Sequence, residues 1–281
     1  MRIDAHQHFW SLSRDDYGWL TPDLGVLYRD HGPADLFPLL QDAGIDKTIL
    51  VQAAPTVEET RYLLALAAEN DYVAGVVGWV DLEDEVAAAG ALDEFTQHES
   101  FVGVRPMLQD MSDPAWIARK ALQPAVDRLI ANNTCFDALV RPAHLPYLLD
   151  FLGRNRELKC VIDHGAKPQI SKGDWQPWAG LMAQLAEQTN AYCKLSGLVT
   201  EAAPDQTSAD LLRYVDYLLE TFGAERLIWG SDWPVLTLAS SYADWNAATD
   251  SFLSALTDEE VQLVRGQNAV RFYGLTAEGE S

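Results

Sequence analysis

Two histidines alternate near the start of this chain, in Ile3-Asp4-Ala5-His6-Gln7-His8-Phe9-Trp10. Residues two apart on a β-strand share a face, so His6 and His8 point to one spot and Gln7 turns away. Two convergent imidazoles can hold a divalent metal or polarise a substrate carbonyl. On a surface strand the same pair would be mere alternation. Its meaning depends on what else reaches that spot. Gln52, Asp81, Arg105, Arg141, His164, Ser196 and Asp232 each follow a short apolar run. His164 stands in Val161-Ile162-Asp163-His164-Gly165, and Asp232 in Ile228-Trp229-Gly230-Ser231-Asp232-Trp233-Pro234. Three imidazoles and a carboxylate suit a mononuclear metal site with a base. They equally suit a metal-free cluster that hydrogen-bonds a carbonyl while Asp232 deprotonates water. Taken singly, His164 could be a core histidine and Asp232 a helix cap. Asp163-His164 could be a hydrogen-bonded turn. Their joint occurrence argues for chemistry.

The elements that must position these groups alternate along the chain. Strand-like runs are Ile3–His8, Thr48–Ala53, Val73–Val80, Val102–Met107, Phe136–Val140, Cys160–His164, Ala191–Leu195 and Leu227–Ser231. Helical periodicity marks Val57–Asn70, Leu122–Asn132, Leu145–Arg154, Leu181–Gln188 and Ala209–Phe222. Thr56 with Glu59 reads as a capping box. Alternating β and α with β-branched, apolar strands implies a parallel sheet. Eight such units in 281 residues fit a (β/α)8 TIM barrel formed as one domain over 1–281. A doubly wound open sheet is the alternative, but it usually brings a Gly-rich first turn. In a barrel the chemistry sits at the C-terminal ends of the strands. The longest loops, 11–32, 165–178, 197–208 and 233–242, follow strands and are candidate binding surfaces.

Composition narrows the classes. Forty-two acidic against 20 basic residues give a net charge of −22, which opposes nucleic-acid or anionic-membrane binding. Cys135, Cys160 and Cys193 lack CxxC spacing and read as buried free thiols. No signal-like segment precedes the first strand, and no apolar run approaches the ~20 residues of a membrane span. A cytoplasmic protein is expected, as a monomer or homo-oligomer.

Asp4-Ala5-His6-Gln7-His8, Asp163-His164-Gly165, Trp229-Gly230-Ser231-Asp232-Trp233-Pro234 and the closing Gln267-Asn268-Ala269-Val270-Arg271-Phe272-Tyr273-Gly274-Leu275 resemble the amidohydrolase superfamily. With Gly103-Val104-Arg105, the opening is similar to its lactonase branch, which includes enzymes of L-fuconolactonase, L-rhamnonolactonase and pyrone-dicarboxylate lactonase type. The resemblance implies a TIM barrel that opens the lactone of a small sugar acid. In one respect the chain departs from it. Many metal-bearing members supply a fifth-strand ligand, and here Phe136-Asp137-Ala138-Leu139-Val140-Arg141-Pro142 puts Arg141 at that place, with His144 three residues on. Arginine does not ligate metals. The expectation is therefore no required cofactor, or one zinc or manganese ion bound weakly by His6, His8 and Asp232.

In this reading Asp232 is the base and His6, His8 and His164 polarise the carbonyl. Arg105, Arg141, Gln52 and His144 bind substrate oxygens, and Trp10, Trp79 and Trp233 offer faces to a sugar ring. The first loop, with Trp19, Tyr28, Arg29 and His31, is a candidate lid. A metal-dependent decarboxylase of the same superfamily and a non-catalytic sugar-acid-binding barrel are the rivals.

Overall fold

The computed structural model describes residues 1–276. Eight parallel strands run in chain order around a barrel: β1 Ile3–Gln7, β2 Lys47–Val51, β3 Val73–Gly78, β4 Phe101–Val104, β5 Cys135–Ala138, β6 Cys160–Ile162, β7 Tyr192–Leu195 and β8 Leu227–Trp229. Eight helices alternate with them: α1 Pro33–Ala43, α2 Val57–Glu69, α3 Glu85–Phe95, α4 Gln123–Ala131, α5 Leu145–Arg154, α6 Trp178–Gln188, α7 Ser208–Phe222 and α8 Tyr242–Phe252. Two short helices follow, α9 Asp258–Gln262 and α10 Asn268–Tyr273. This is the expected (β/α)8 barrel.

The ring shuts between β8 and β1 through few bonds. His8 N donates to Trp233 O at 2.7 Å and Asp232 N donates to His6 O at 2.8 Å. No Cβ fits at Gly230, because one would stand 2.7 Å from the Cβ of His6.

Outward strand residues such as Leu50, Val76, Phe136 and Leu195 pack against the helices in one large core. Inward residues Ile3, Ala5, Ile49, Val51, Val77, Val161 and Ile228 form a second core, closed at the bottom by Ala269, Phe272 and Tyr273 of α10. Each large aliphatic side chain so buried contributes ~1.5–3 kcal/mol.

The strands are shorter at their C-terminal ends than the apolar runs predicted. The chain leaves the sheet at Pro106, and His164 (φ 54°) and Asp232 (φ 62°) adopt left-handed backbone that no strand continues. Apolarity persists past these points because the loop starts are buried too. Thr56 caps α2 by accepting from Glu59 N at 3.1 Å. The Glu59 carboxylate does not complete the box: it accepts from Ala53 N and Ala54 N, tying the end of β2 to α2.

Candidate active site

A bulge aims the histidines. Asp4 pairs with Thr48 and Gln7 with Leu50, so three steps along β1 match two along β2. The extra residue reverses the alternation. Ile3 and Ala5 face the barrel interior, and past the bulge His6 and His8 face it as well, while Gln7 Nε2 turns out to Thr48 Oγ1 at 3.2 Å. The His6 and His8 rings meet edge to face with centroids 4.9 Å apart, and His164 lies 4.4 Å from His6.

All three imidazoles converge on one carboxylate. Asp232 Oδ1 lies 3.3 Å from His8 Nε2, 3.7 Å from His6 Nε2 and 3.8 Å from His164 Nε2. The far nitrogens are anchored. His8 Nδ1 is 2.7 Å from the Val51 carbonyl, and an N–H must sit there to make that bond. His164 Nδ1 is 2.9 Å from Ser196 Oγ. Gly197 (φ 62°) lets the chain pass this ring, since a Cβ there would stand 2.5 Å from His164 Nδ1.

Arg105 closes another side. Its Nε and Nη2 donate to Gln52 Oε1 at 3.2 and 2.9 Å, and Nη2 also donates to the Gln52 carbonyl. Gln52 Nε2 donates back to the Arg105 carbonyl at 3.1 Å. This reciprocal clamp leaves Nη1 free to reach His6 Nε2 at 3.3 Å and Asp163 Oδ2 at 3.5 Å.

Below the histidines lies a charged layer. Lys194, Asp137 and Asp163 are wholly buried. Lys194 Nζ is 2.5 Å from Asp137 Oδ2, 3.1 Å from Asp163 Oδ1 and 3.1 Å from His6 Nδ1. Tyr273 donates its hydroxyl to Asp137 at 2.8 Å.

The electrostatics separate the groups. Burial pushes His164 down to about 4 and lowers His8. Burial and the Lys194 charge push His6 well below the usual histidine range. Burial alone would raise Asp163 and Asp232. For Asp163 the Lys194 charge, with the His6 contact, outweighs it, and for Asp232 the contacts with His164, His8 and His6 do, so both carboxyls are held below their ordinary value. At neutral pH the site is three neutral imidazoles around an ionised carboxylate.

The cluster floors a cavity of about 220 Å³ whose walls include Trp19, Leu27, Arg105, Gln109, Lys167 and Leu238. Of the residues proposed from sequence, His8, His164, Asp232 and Arg105 line it, with His6 and Gln52 packed directly behind them. Others stand elsewhere. Arg141 is exposed at the turn after β5, where its N–H meets His144 Nδ1 at 3.1 Å. Asp137 faces the interior and Leu139 reaches the cavity, but β5 ends at Ala138 and the chain has turned outward by Arg141, so Arg141 and His144 form no part of the cavity wall. Trp10 is buried within the first loop, donating to the Arg29 carbonyl at 2.8 Å. Trp233 is buried against Phe9 and His31. Trp79 lies half-buried by Thr60, and Asp81 accepts from Glu83 N in the loop before α3. From the first loop, Trp19 reaches the cavity, pinned by its indole N–H to the Ala53 carbonyl at 2.7 Å. Tyr28 and Arg29 face solvent.

Sequence reading missed Lys194, Asp137 and Lys167. Lys194 had a signal: a lysine inside the run Tyr192-Cys193-Lys194-Leu195 must be buried and paired.

The donor set also fits a metal. Zn–N and Zn–O bonds of ~2.0–2.2 Å place tetrahedral ligands about 3.4 Å apart, and the Asp232 Oδ1 separations run from 3.3 to 3.8 Å. His6, His8 and Asp232 offer donor atoms within 4.8 Å of one another. Arg141, expected beside the metal position, is absent from it, and the cations there are Arg105 and Lys194, both in contact with His6.

Comparison with known proteins agrees with this architecture. The amidohydrolase family model matches residues 3–275, and the chain belongs to that family. It is 47% identical to an L-fucono-1,5-lactonase of Burkholderia ambifaria over 97% of this chain and 95% of that protein. It is 36% identical to an L-fucono-1,5-lactonase of Burkholderia multivorans, covering 98% and 96%. A crystal structure of a Burkholderia multivorans amidohydrolase with bound zinc superposes with a TM-score of 0.92 at 36% identity, covering 98% of this chain and all of that one. Within the family the chain falls in the lactonase branch. Among the described residues no helix is long and apolar enough to cross a membrane.

Proposed function

We propose that this chain hydrolyses the 1,5-lactone of a six-carbon sugar acid, L-fucono-1,5-lactone or a close relative, to the open aldonate. One observation carries the reading: three imidazole Nε2 atoms converge on the Asp232 carboxylate at the floor of a cavity of small-molecule size. The two lactonase relatives supply the choice of substrate.

Asp232 takes a proton from water as it attacks the lactone carbonyl. A carboxylate held below its ordinary range is a weak base, so most of the barrier must fall through stabilisation of the oxyanion. The Arg105 guanidinium and the neutral imidazoles of His6 and His164 are the donors available; His8 has its one N–H on the Val51 carbonyl. A divalent ion held by His6, His8 and Asp232 would act as a Lewis acid on the carbonyl. We read such an ion as weakly bound and dispensable, because two cations already press on His6 and Arg105 can meet the developing charge itself. Trp19 and Leu27 give the sugar ring apolar faces, and Lys167 stands at the wall for its hydroxyls. A single domain working in the cytoplasm is part of the same reading, supported by strands that run in order from residue 3 to 229 of one ring.

The test is a pH-indicator screen across aldonolactones. Fastest turnover with a 1,5-lactone of fucono configuration supports the proposal. Hydrolysis of none of the panel at micromolar enzyme would refute it.

A further inference from the structure

We infer that Lys194 is a positioning residue that fixes the tautomer of His6, leaving its Nε2 as an N–H donor facing the cavity floor. The protonated lysine carries three N–H groups and no acceptor. The buried Lys194 ammonium meets three acceptor atoms: Asp137 Oδ2 at 2.5 Å, Asp163 Oδ1 at 3.1 Å and His6 Nδ1 at 3.1 Å. Asp137 takes one proton in a hydrogen bond, and Asp163 Oδ1 pairs with the charge. Another proton has His6 Nδ1 for its partner, so that nitrogen carries the lone pair. A neutral imidazole has one N–H, and it must then be on Nε2.

Two contacts compete with this assignment, and geometry ranks them. Asp163 Oδ1 would accept from an Nδ1–H, but it lies 3.5 Å away, beyond ordinary hydrogen-bond reach. Arg105 Nη1 would donate to a bare Nε2 at 3.3 Å. The guanidinium is anchored otherwise: its Nε and Nη2 are held by Gln52, and its charge is paired with Asp163 Oδ2 at 3.5 Å. Among the described residues the Lys194 proton aimed at His6 Nδ1 has no second neutral acceptor. An unmet donor on a buried charge is the more costly outcome.

The assignment has a chemical consequence. With the proton on Nε2, His6 offers a neutral N–H toward Asp232 Oδ1 at 3.7 Å and toward any carbonyl seated above it. It is then a hydrogen-bond donor to an oxyanion and, in that tautomer, no metal ligand through Nε2. The catalytic use of this proton rests on the lactonase reading; the tautomer does not.

The experiment is therefore spectroscopic. The chain is labelled with ring-15N histidine, dialysed free of metal, and its imidazole nitrogens are read by two-bond 15N–1H correlation at pH 7. The His6 set is identified by its disappearance in His6→Gln. A bare Nδ1 and a protonated Nε2 are expected. A protonated Nδ1 with bare Nε2, or an imidazolium, would overturn the inference, whatever the chain hydrolyses. In Lys194→Gln and Lys194→Met the His6 signals are expected to leave the pure Nε2–H pattern, and zinc affinity by dialysis is expected to rise at least tenfold in both. An unchanged tautomer in a folded Lys194→Met would remove Lys194 from the role. Should neither variant fold, the wild-type spectrum still decides the tautomer on which the inference stands.

Discussion

Replacing Arg105 with methionine probes the clamp that holds the cavity wall together. Methionine keeps the bulk and loses every donor. Gln52 Oε1 and the Gln52 carbonyl both accept from Arg105 and are buried. Each orphaned acceptor costs ~1–3 kcal/mol, so the substitution is expected to destabilise by about 2–6 kcal/mol. Asp163 adds little, because Lys194 remains 3.1 Å from it. A chain of 281 residues loses ~2 °C of Tm per kcal/mol, which puts the drop near 4–12 °C. The double change Arg105→Met with Gln52→Met removes the orphaned Gln52 Oε1 but takes from the Arg105 carbonyl its Gln52 Nε2 donor, so two acceptors stay unmet. Stability is expected to stay near that of Arg105→Met, and the departure from additivity measures the coupling. Kinetics on the surviving fold separate the roles: loss of an oxyanion donor lowers kcat/KM ~100–1,000-fold. Scanning calorimetry of the three proteins with lactone assays below the lowest Tm gives both numbers. A Tm drop under about 2 °C in Arg105→Met would refute the clamp. Normal kinetics would remove Arg105 from the reaction.

Three further outcomes are expected. Asp232→Asn keeps shape and removes basicity, so lactone turnover should fall by orders of magnitude with the circular dichroism spectrum unchanged; near-normal turnover would assign the base elsewhere. Exhaustive chelation should leave most activity, with metal content checked in the same sample, and complete loss restored by zinc or manganese would show that the ion is required. Acid should weaken the fold through His164, whose folded value is about 4 against 6.5 when unfolded. Between those values the unfolded chain binds more protons, so stability falls as pH drops from 6.5 to 4, by about 3 kcal/mol for this group. A His164→Gln protein with the same Tm–pH slope as wild type in that window would contradict the assignment.

The barrel was legible because eight β-branched runs alternate with helical periodicity: every strand overlaps its expected segment, and β2, β4 and β5 begin one residue before it. Helices α1, α3 and α8 escaped, since Pro33, the alanine run Ala87-Ala88-Ala89 and the polar Asp244-Trp245-Asn246 blur the apolar stripe. His6, His8, His164 and Asp232 could be found by type and by position at strand ends. The bulge that aims His6 could not, because register is set by the neighbouring strand and leaves no local trace. Arg141 and Asp137 show the cost of misplacing a strand end: β5 stops at Ala138, so the guanidinium three residues beyond it faces solvent, and the buried carboxylate four residues before Arg141 takes the interior place. Lys194 was passed over because lysine is ordinarily a surface residue, and its role depends on partners 57 and 188 positions away.

The seam between β8 and β1 has a further consequence. The two backbone bonds that shut it belong to His6, His8, Asp232 and Trp233, so three of the four residues that join first strand to last are those proposed to do the chemistry. A partly wound sheet holds a histidine pair with no carboxylate opposite it. Partial assembly cannot give partial turnover; the rate counts finished rings. Any substitution that leaves the ring slightly ajar, however distant from the cavity, would be read first in kcat and only later in a melting curve.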